Sequence, residues 1–122
     1  MAKILLIEDN SMICRIWMLQ LEKFGHSVTA VSSGDEALEH LASESVDLVL
    51  TDVMLPGMGG LEIVEKLRAD EKTKDLPVIV LSALSSRSNK EKALSLGVFK
   101  YIVKSECTPG RLAATVTEAL AD

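Results

Sequence analysis

A chain of 122 residues, 48% apolar and 25% charged, has the size and composition of one globular domain spanning residues 1–122. Its net charge of −5, without any lysine- or arginine-rich block, argues against direct binding to nucleic-acid phosphates. No apolar run approaches the roughly 18 residues that cross a bilayer, and the start of the chain lacks the apolar stretch of a secretory signal, so the expected location is cytoplasmic. Only 3% of residues are aromatic, which calls for an aliphatic core. Cys14 and Cys107 are too few for a disulfide framework and show no metal-ligand spacing, so both are expected as free thiols.

The first apolar run, Lys3 to Ile7, predicts a strand. Ile13, Ile16, Trp17, Leu21 and Phe24 then recur at three- and four-residue steps, a helix stripe that Gly25 ends as a left-handed cap. On this helix Met18 and Leu19 are expected opposite the buried stripe, with Met12 at its margin. Ser27 to Val31 is a short second strand. Ser33 with Glu36 forms a capping-box pattern ahead of a helix that buries Ala37, Leu38 and Leu41.

Val46 to Thr51 predicts a central third strand, apolar on both faces. Pro56 to Gly60 reads as a flexible loop before a helix with Leu61, Val64 and Leu67. Pro77 opens the fourth strand, Asn89 to Leu96 is a polar helix stopped by Gly97, and Phe99 to Val103 is the fifth strand. Thr108 and Pro109 provide an N-cap and first position for a last helix carrying Leu112, Val116 and Leu120.

Strands alternating with helices predict an α/β fold, a doubly wound parallel sheet covered on both faces. Such sheets bind ligands beyond the carboxyl ends of their strands. Glu8 and Asp9, Asp52, Ser82 and Lys104 all follow strand ends, so three carboxylates, a hydroxyl and an ammonium are expected in one crevice. Each has a plain reading alone: Asp52 as a turn residue, Glu8 and Asp9 as helix-capping acids, Ser82 as a loop hydroxyl, Lys104 as a surface charge. Their joint placement at one sheet edge favours a shared site. Hard oxygen ligands suit magnesium, and carboxylates so close together favour proton uptake by one of them when no ion is bound. Asp52 is the candidate nucleophile toward phosphorus, with Lys104 and Ser82 placed to meet phosphoryl charge.

Ile4 to Asp9, Asp47 to Gly60, Leu76 to Ala83 and Lys104 together resemble the signature segments of the response-regulator receiver domains of two-component signalling, CheY-like proteins. The resemblance runs nearly end to end and implies a flavodoxin-like sheet with strand order 2-1-3-4-5. It implies Asp52 as phosphoacceptor from a histidine kinase or histidine phosphotransferase. Glu8, Asp9, Asp52 and the backbone carbonyl of Met54 would serve one magnesium ion, with manganese as a substitute. Ser82, Lys104 and Tyr101 would couple the phosphoryl group to a surface made by the fourth helix, fifth strand and last helix. That face would serve a downstream effector, a fused output domain or a homodimer. On this reading the chain is a signalling switch rather than a turnover enzyme, with no membrane or direct nucleic-acid contact.

Met54 and Leu84 occupy positions that in the family tune access of hydrolytic water, and apolar bulk there predicts slow loss of phosphate. Tyr101 has an alternative as a half-buried edge aromatic. One departure stands out: Ser105 follows Lys104 where the family usually has a proline joined by a cis bond. A cis bond before serine costs roughly 3 kcal/mol, so a trans bond or altered loop is expected, with Lys104 still reaching Asp52. Two competing readings are a flavin-binding protein, disfavoured by Glu8 and Asp9 where a flavin phosphate would lie, and a degenerate receiver that binds proteins without phosphate.

Overall fold

The computed structural model describes residues 2–83 and 86–121. Five parallel strands, β1 (Lys3–Ile7), β2 (Ser27–Val31), β3 (Leu48–Asp52), β4 (Val78–Ser82) and β5 (Lys100–Val103), form one sheet in the order β2-β1-β3-β4-β5. The helices between and after them are α1 (Ser11–Lys23), α2 (Gly34–Ser43), α3 (Gly60–Ala69), α4 (Arg87–Ser95) and α5 (Pro109–Ala121).

Strand periodicity divides the interior in two. Leu5, Ile7, Val49, Val78, Val80 and Tyr101 point to one face, where they meet Ala37 of α2, the α3 residues Leu61, Ile63, Val64 and Leu67, and Ala93 of α4. Ile4, Leu6, Leu48, Leu50, Ile79 and Leu81 point to the other, against Trp17 and Leu21 of α1 and Leu112, Ala113 and Val116 of α5. β3 and β4 are buried on both faces, as near-continuous apolar runs in parallel sheets require. Each fully buried Leu, Ile or Val contributes roughly 1.5–3 kcal/mol, so this two-sided aliphatic core holds the strand ends in register.

Local signals explain most helix ends. Asn10 caps α1, its side chain accepting from the Met12 and Ile13 amides, and Gly25 at φ 90° provides the left-handed exit. Ser33 Oγ accepts from Glu36 N, while Glu36 returns its carboxylate chiefly to Ser32 N and Oγ. The capping box therefore reaches back one residue further than its usual form. Thr108 Oγ1 accepts from Arg111 N at the start of α5, and Gly97 at φ 76° follows α4.

Several boundaries and faces differ from the sequence expectation. β3 starts at Leu48 because the Asp47 carboxylate caps Lys3 N at 2.8 Å, and it runs through Asp52, which pairs with Leu81. Ser82 likewise ends β4 rather than following it, opposite Val103. β5 opens at Lys100, and α4 begins at Arg87 because Ser86 Oγ caps Asn89 N. On α1 the buried line runs through Trp17 and Leu21, flanked by Ile13, Cys14 and Met18. Ile16 (48% exposed) and Phe24 (55%) are turned out, and Met18 is turned in. Residues 13, 17 and 21 are one i, i+4 row facing the α5 side; residue 16 is rotated about 100° from 17 and loses that contact.

Candidate functional site

Each acidic or basic residue of the site is delivered by a strand end. Glu8 follows β1, and its amide donates to Val31 O of β2, continuing the sheet one step. Glu8 and Asp9 lie just before Asn10, whose own amide donates to Glu8 Oε2 at 3.3 Å while its side chain starts α1. Asp52 closes β3, Ser82 closes β4 and Lys104 begins a 3-10 turn (Lys104–Glu106) after β5.

The convergence is tight. Glu8, Asp9 and Asp52 each bring a carboxylate oxygen within 4.8 Å of the others, with Glu8 and Asp52 buried and Asp9 exposed. Lys104 Nζ donates to Asp52 Oδ2 at 2.8 Å and to Glu8 Oε1 at 2.5 Å. Asp52 Oδ1 accepts from Met54 N at 3.2 Å, so the loop after β3 folds over the carboxylate. Burial pushes the Glu8 carboxyl above its ordinary range; the Lys104 hydrogen bond opposes this, and the nearby Asp52 charge adds to it. Burial alone would lower the Lys104 ammonium, but its hydrogen bonds and attraction to Asp52 and Glu8 outweigh that and hold it above its ordinary value. Glu8 is thus pushed toward holding a proton.

The donor set fits a magnesium ion. Its ligands lie at 2.0–2.1 Å, so opposite oxygens stand about 4.2 Å apart. Neighbouring oxygens of such an octahedron stand about 2.9 Å apart, so the three carboxylates, within 4.8 Å of one another, would draw closer or act through water to share one ion. All three donors are hard oxygens, and no thiolate or imidazole competes among them.

The Lys104–Ser105 bond is trans, since no described residue precedes a cis peptide. The 3-10 turn absorbs the change, and the ammonium reaches both carboxylates as expected. Tyr101 is 8% exposed and packs within the α2–α4 side of the core, not as a half-exposed edge ring. Ser82 is fully buried, one residue beyond the Asp52–Leu81 pair. Met54 is 58% exposed, so its side chain does not fill the loop interior. Leu84 lies outside the described residues.

Two contributors escaped the sequence expectation. Gly60 opens α3 so close to the acceptor strand that a Cβ there would stand 1.9 Å from Asp52 O. The segment read as a flexible loop is a tight return, with Gly60 N donating to Val53 O at 3.0 Å and Gly57 at φ 74°. A glycine at a helix start directly after a short loop was the available signal of close backbone approach. Asn10 was the other; an Asx residue immediately before an apolar periodic run signals an N-cap.

The family model described as "Response regulator receiver domain" matches residues 4–117. The transcriptional regulatory protein YkoG of Bacillus subtilis is 43% identical over 102 residues, which are 83% of this chain and 43% of that protein. The phosphate regulon transcriptional regulatory protein PhoB of Rhizobium meliloti is 34% identical over 113 residues, 93% of this chain and 50% of that protein. The chain therefore spans about half the length of the curated relatives it matches. A putative response regulator from Chloroflexus aurantiacus superposes with a TM-score of 0.93 at 29% identity, covering 99% of this chain and 98% of that one. Chemotaxis response regulator CheY4 of Vibrio cholerae gives a TM-score of 0.90 at 28% identity, covering 98% and 99%.

Proposed function

Because the chain belongs to the response regulator receiver family of two-component systems, we propose that Asp52 is its phosphoacceptor and that the 1–122 unit is a phosphorylation-driven switch. The observation that carries this is the meeting of Glu8, Asp9 and Asp52 within 4.8 Å beneath a lysine bonded to Asp52.

An Asp52 carboxylate oxygen attacks the phosphorus of a phosphohistidine on a histidine kinase or histidine phosphotransferase. The O–P bond forms as the N–P bond breaks, and the imidazole nitrogen leaves with the bonding pair and takes up a proton. Positioning and charge neutralisation supply the rate, since phosphoryl transfer leaves little acid–base work for the protein. Glu8, Asp9, Asp52 and the Met54 carbonyl would hold magnesium, which would supply charge compensation for the phosphoryl oxygens. Lys104, already at Asp52, neutralises one further oxygen, and the Ser82 hydroxyl donates to another. The substrate is the protein's own side chain, so the cycle of phosphorylation and hydrolysis is a signal and not turnover of a metabolite.

The added charge selects between two packings of β4 and β5, with Ser82 and Tyr101 as the moving parts and the α4–β5–α5 face as the output surface. Relatives named as transcriptional regulators support an effector or fused output domain downstream. A cytoplasmic site of action accords with a chain in which no described helix is long and apolar enough to cross a membrane. The reading of a phosphate-independent degenerate receiver rested on Ser105, and the reach of Lys104 to Asp52 across a trans bond weakens it.

The experiment is incubation with a small-molecule phosphodonor and magnesium, followed by intact mass. Wild type is expected to gain one phosphoryl group and Asp52→Asn none; unmodified wild type, or equal gain in both, would defeat the proposal.

A further inference from the structure

The two ends of α4 are held in different ways. None of residues 87–92 is buried, and among the described residues the side-chain bonds of this end stay within the helix. Ser86 Oγ caps Asn89 N at 3.2 Å and meets Ser88 Oγ, while Arg87 pairs with Glu91 at 3.5 Å. The carboxyl end is anchored from outside. Ala93 is fully buried in the core, and Arg68 of α3 donates from Nε to Leu96 O at 2.8 Å and from Nη2 to Gly97 O at 3.1 Å. Lys92 also meets Glu65 of α3 at 3.3 Å, a half-exposed pair that adds little. A helix carboxyl end leaves carbonyls unpaired and carries partial negative charge, and a guanidinium satisfies both. Nη1 of the same fork reaches the carbonyls of Thr73, Lys74 and Leu76 ahead of β4. One planar group thus ties the exit of α4 to the entry of β4, a geometry that the compact ammonium of a lysine cannot reproduce.

We propose that Arg68 is a positioning residue of the switch: it makes the carboxyl end of α4 a fixed fulcrum, about which the amino end swings when Asp52 is phosphorylated. The proposal rests on the reading of Asp52 as phosphoacceptor and adds where the movement stops. In a parallel sheet α4 runs from the carboxyl edge, where Ser82 ends β4, to the amino edge, where Arg68 binds it. The switch therefore acts first on the end of the helix with no outside tie. Moving Leu96 or Gly97 would strand carbonyls and a partly buried cation, whereas moving residues 87–91 breaks no side-chain bond to another described element. Just past the clamp, Phe99 N donates to Val78 O at 2.7 Å, so the start of β5 is fixed to the start of β4 as well. Local opening follows the less protected segment, which is the amino end.

The test is amide hydrogen exchange read residue by residue by NMR, with phosphoryl gain followed in parallel by intact mass. The full chain is compared as wild type, Arg68→Lys and Asp52→Asn, in magnesium, with and without excess small-molecule phosphodonor. In wild type the phosphodonor is expected to change exchange at Asn89 and Lys90 severalfold and to leave Leu96, Gly97 and Val98 within about twofold. Asp52→Asn is expected to show neither change. The amides of Leu96, Gly97 and Val98 all donate within this turn, so their exchange reports the clamp directly. In Arg68→Lys they are expected to exchange about tenfold faster even without phosphodonor, and the phosphodonor response is expected to spread from Asn89 to Val98. The rate of phosphoryl gain in Arg68→Lys is expected to match wild type. A merely structural role would instead slow that gain and raise exchange in α1 too, without redistributing the response along α4. A wild-type response at Leu96 and Gly97 as large as at Asn89 would overturn the proposal, and that measurement does not depend on how any variant folds. Unchanged exchange at Leu96 and Gly97 in Arg68→Lys would also overturn it. A wild type that gains no phosphoryl group defeats the phosphoacceptor reading instead, and the clamp is then decided by the comparison without phosphodonor.

Discussion

Arg68 and Lys104 sit at opposite ends of the same sheet, and each is a partly buried cation, but their surroundings answer the charge in different ways. Arg68, near the end of α3, donates to the carbonyls of Leu96 (2.8 Å) and Gly97 (3.1 Å), ahead of β5. It also donates to Thr73, Lys74 and Leu76, ahead of β4, at 3.4, 3.1 and 2.8 Å. Five neutral acceptors leave the guanidinium satisfied, with no carboxylate in contact among the described residues; burial still pushes its pKa down, with Asp75 opposing. Lys104 instead faces Glu8 and Asp52, with Asp9 beside them, and Glu8 is pushed above its ordinary range. One end is a closed staple that ties two loops to α3. The other sets three carboxylates around one lysine, the arrangement on which the proposed cation and phosphoryl group depend.

That contrast predicts different responses to losing each cation. Arg68→Leu strands carbonyls at the base of β4 and β5, and a loss of about 3 kcal/mol is expected from hydrogen bonds to a charged donor. Magnesium is expected to restore none of it; urea unfolding with and without the ion reads both numbers. Lys104→Met is expected to cost less, about 2 kcal/mol at neutral pH, because Glu8 answers by taking up a proton. Glu8's raised folded value works against stability as pH climbs: its contribution is complete below the ordinary carboxylate pKa, about 4.3, and lost as pH rises through the folded value. The Lys104→Met deficit is therefore expected to narrow in acid and to be partly recovered by magnesium. A deficit indifferent to both would erase the distinction between the two ends.

Smaller effects sharpen it. Met54, exposed beside Asp52, is expected to hinder in-line water, so Met54→Asn speeds loss of the acyl phosphate severalfold, followed by the decay of the phosphorylated mass. Faster loss in the wild type would contradict this. Away from both ends, Glu36 is held below the usual carboxylate range by hydrogen bonds from Ser32 and then Ser33. A depressed folded value contributes stability above the ordinary pKa and loses it as pH falls through the folded one. The stability gap between wild type and Glu36→Gln is expected to shrink below about pH 4. A gap constant with pH would remove Glu36 from the account.

How much of this was legible in the sequence follows from the range of each interaction. Ile4 to Ile7 and Val78 to Leu81 announce themselves because a strand buried on both faces needs an unbroken apolar run. Glu8, Asp9, Asp52 and Lys104 were legible as a set because strand ends in a parallel sheet share one edge. The phase of α1 was not, since Ile13, Ile16 and Trp17 satisfy the same spacing and only the packing partner α5 decides that Ile16 faces water. Arg68 was equally hidden: nothing local marks an arginine whose acceptors lie up to 29 residues away. Gly60 could have been read as a close approach and was taken as loop freedom, because its constraint is a backbone atom eight positions earlier in the chain.

The central claim is that Asp52 itself carries the phosphoryl group, and reductive trapping tests it most directly. Borohydride converts an acyl phosphate of aspartate to homoserine, which peptide mass spectrometry locates by position. After phosphodonor and magnesium, homoserine is expected at residue 52 and nowhere else, and is expected to vanish when magnesium is withheld. Homoserine at Glu8's neighbour Asp9, or none in a protein that has gained phosphoryl mass, would contradict the account.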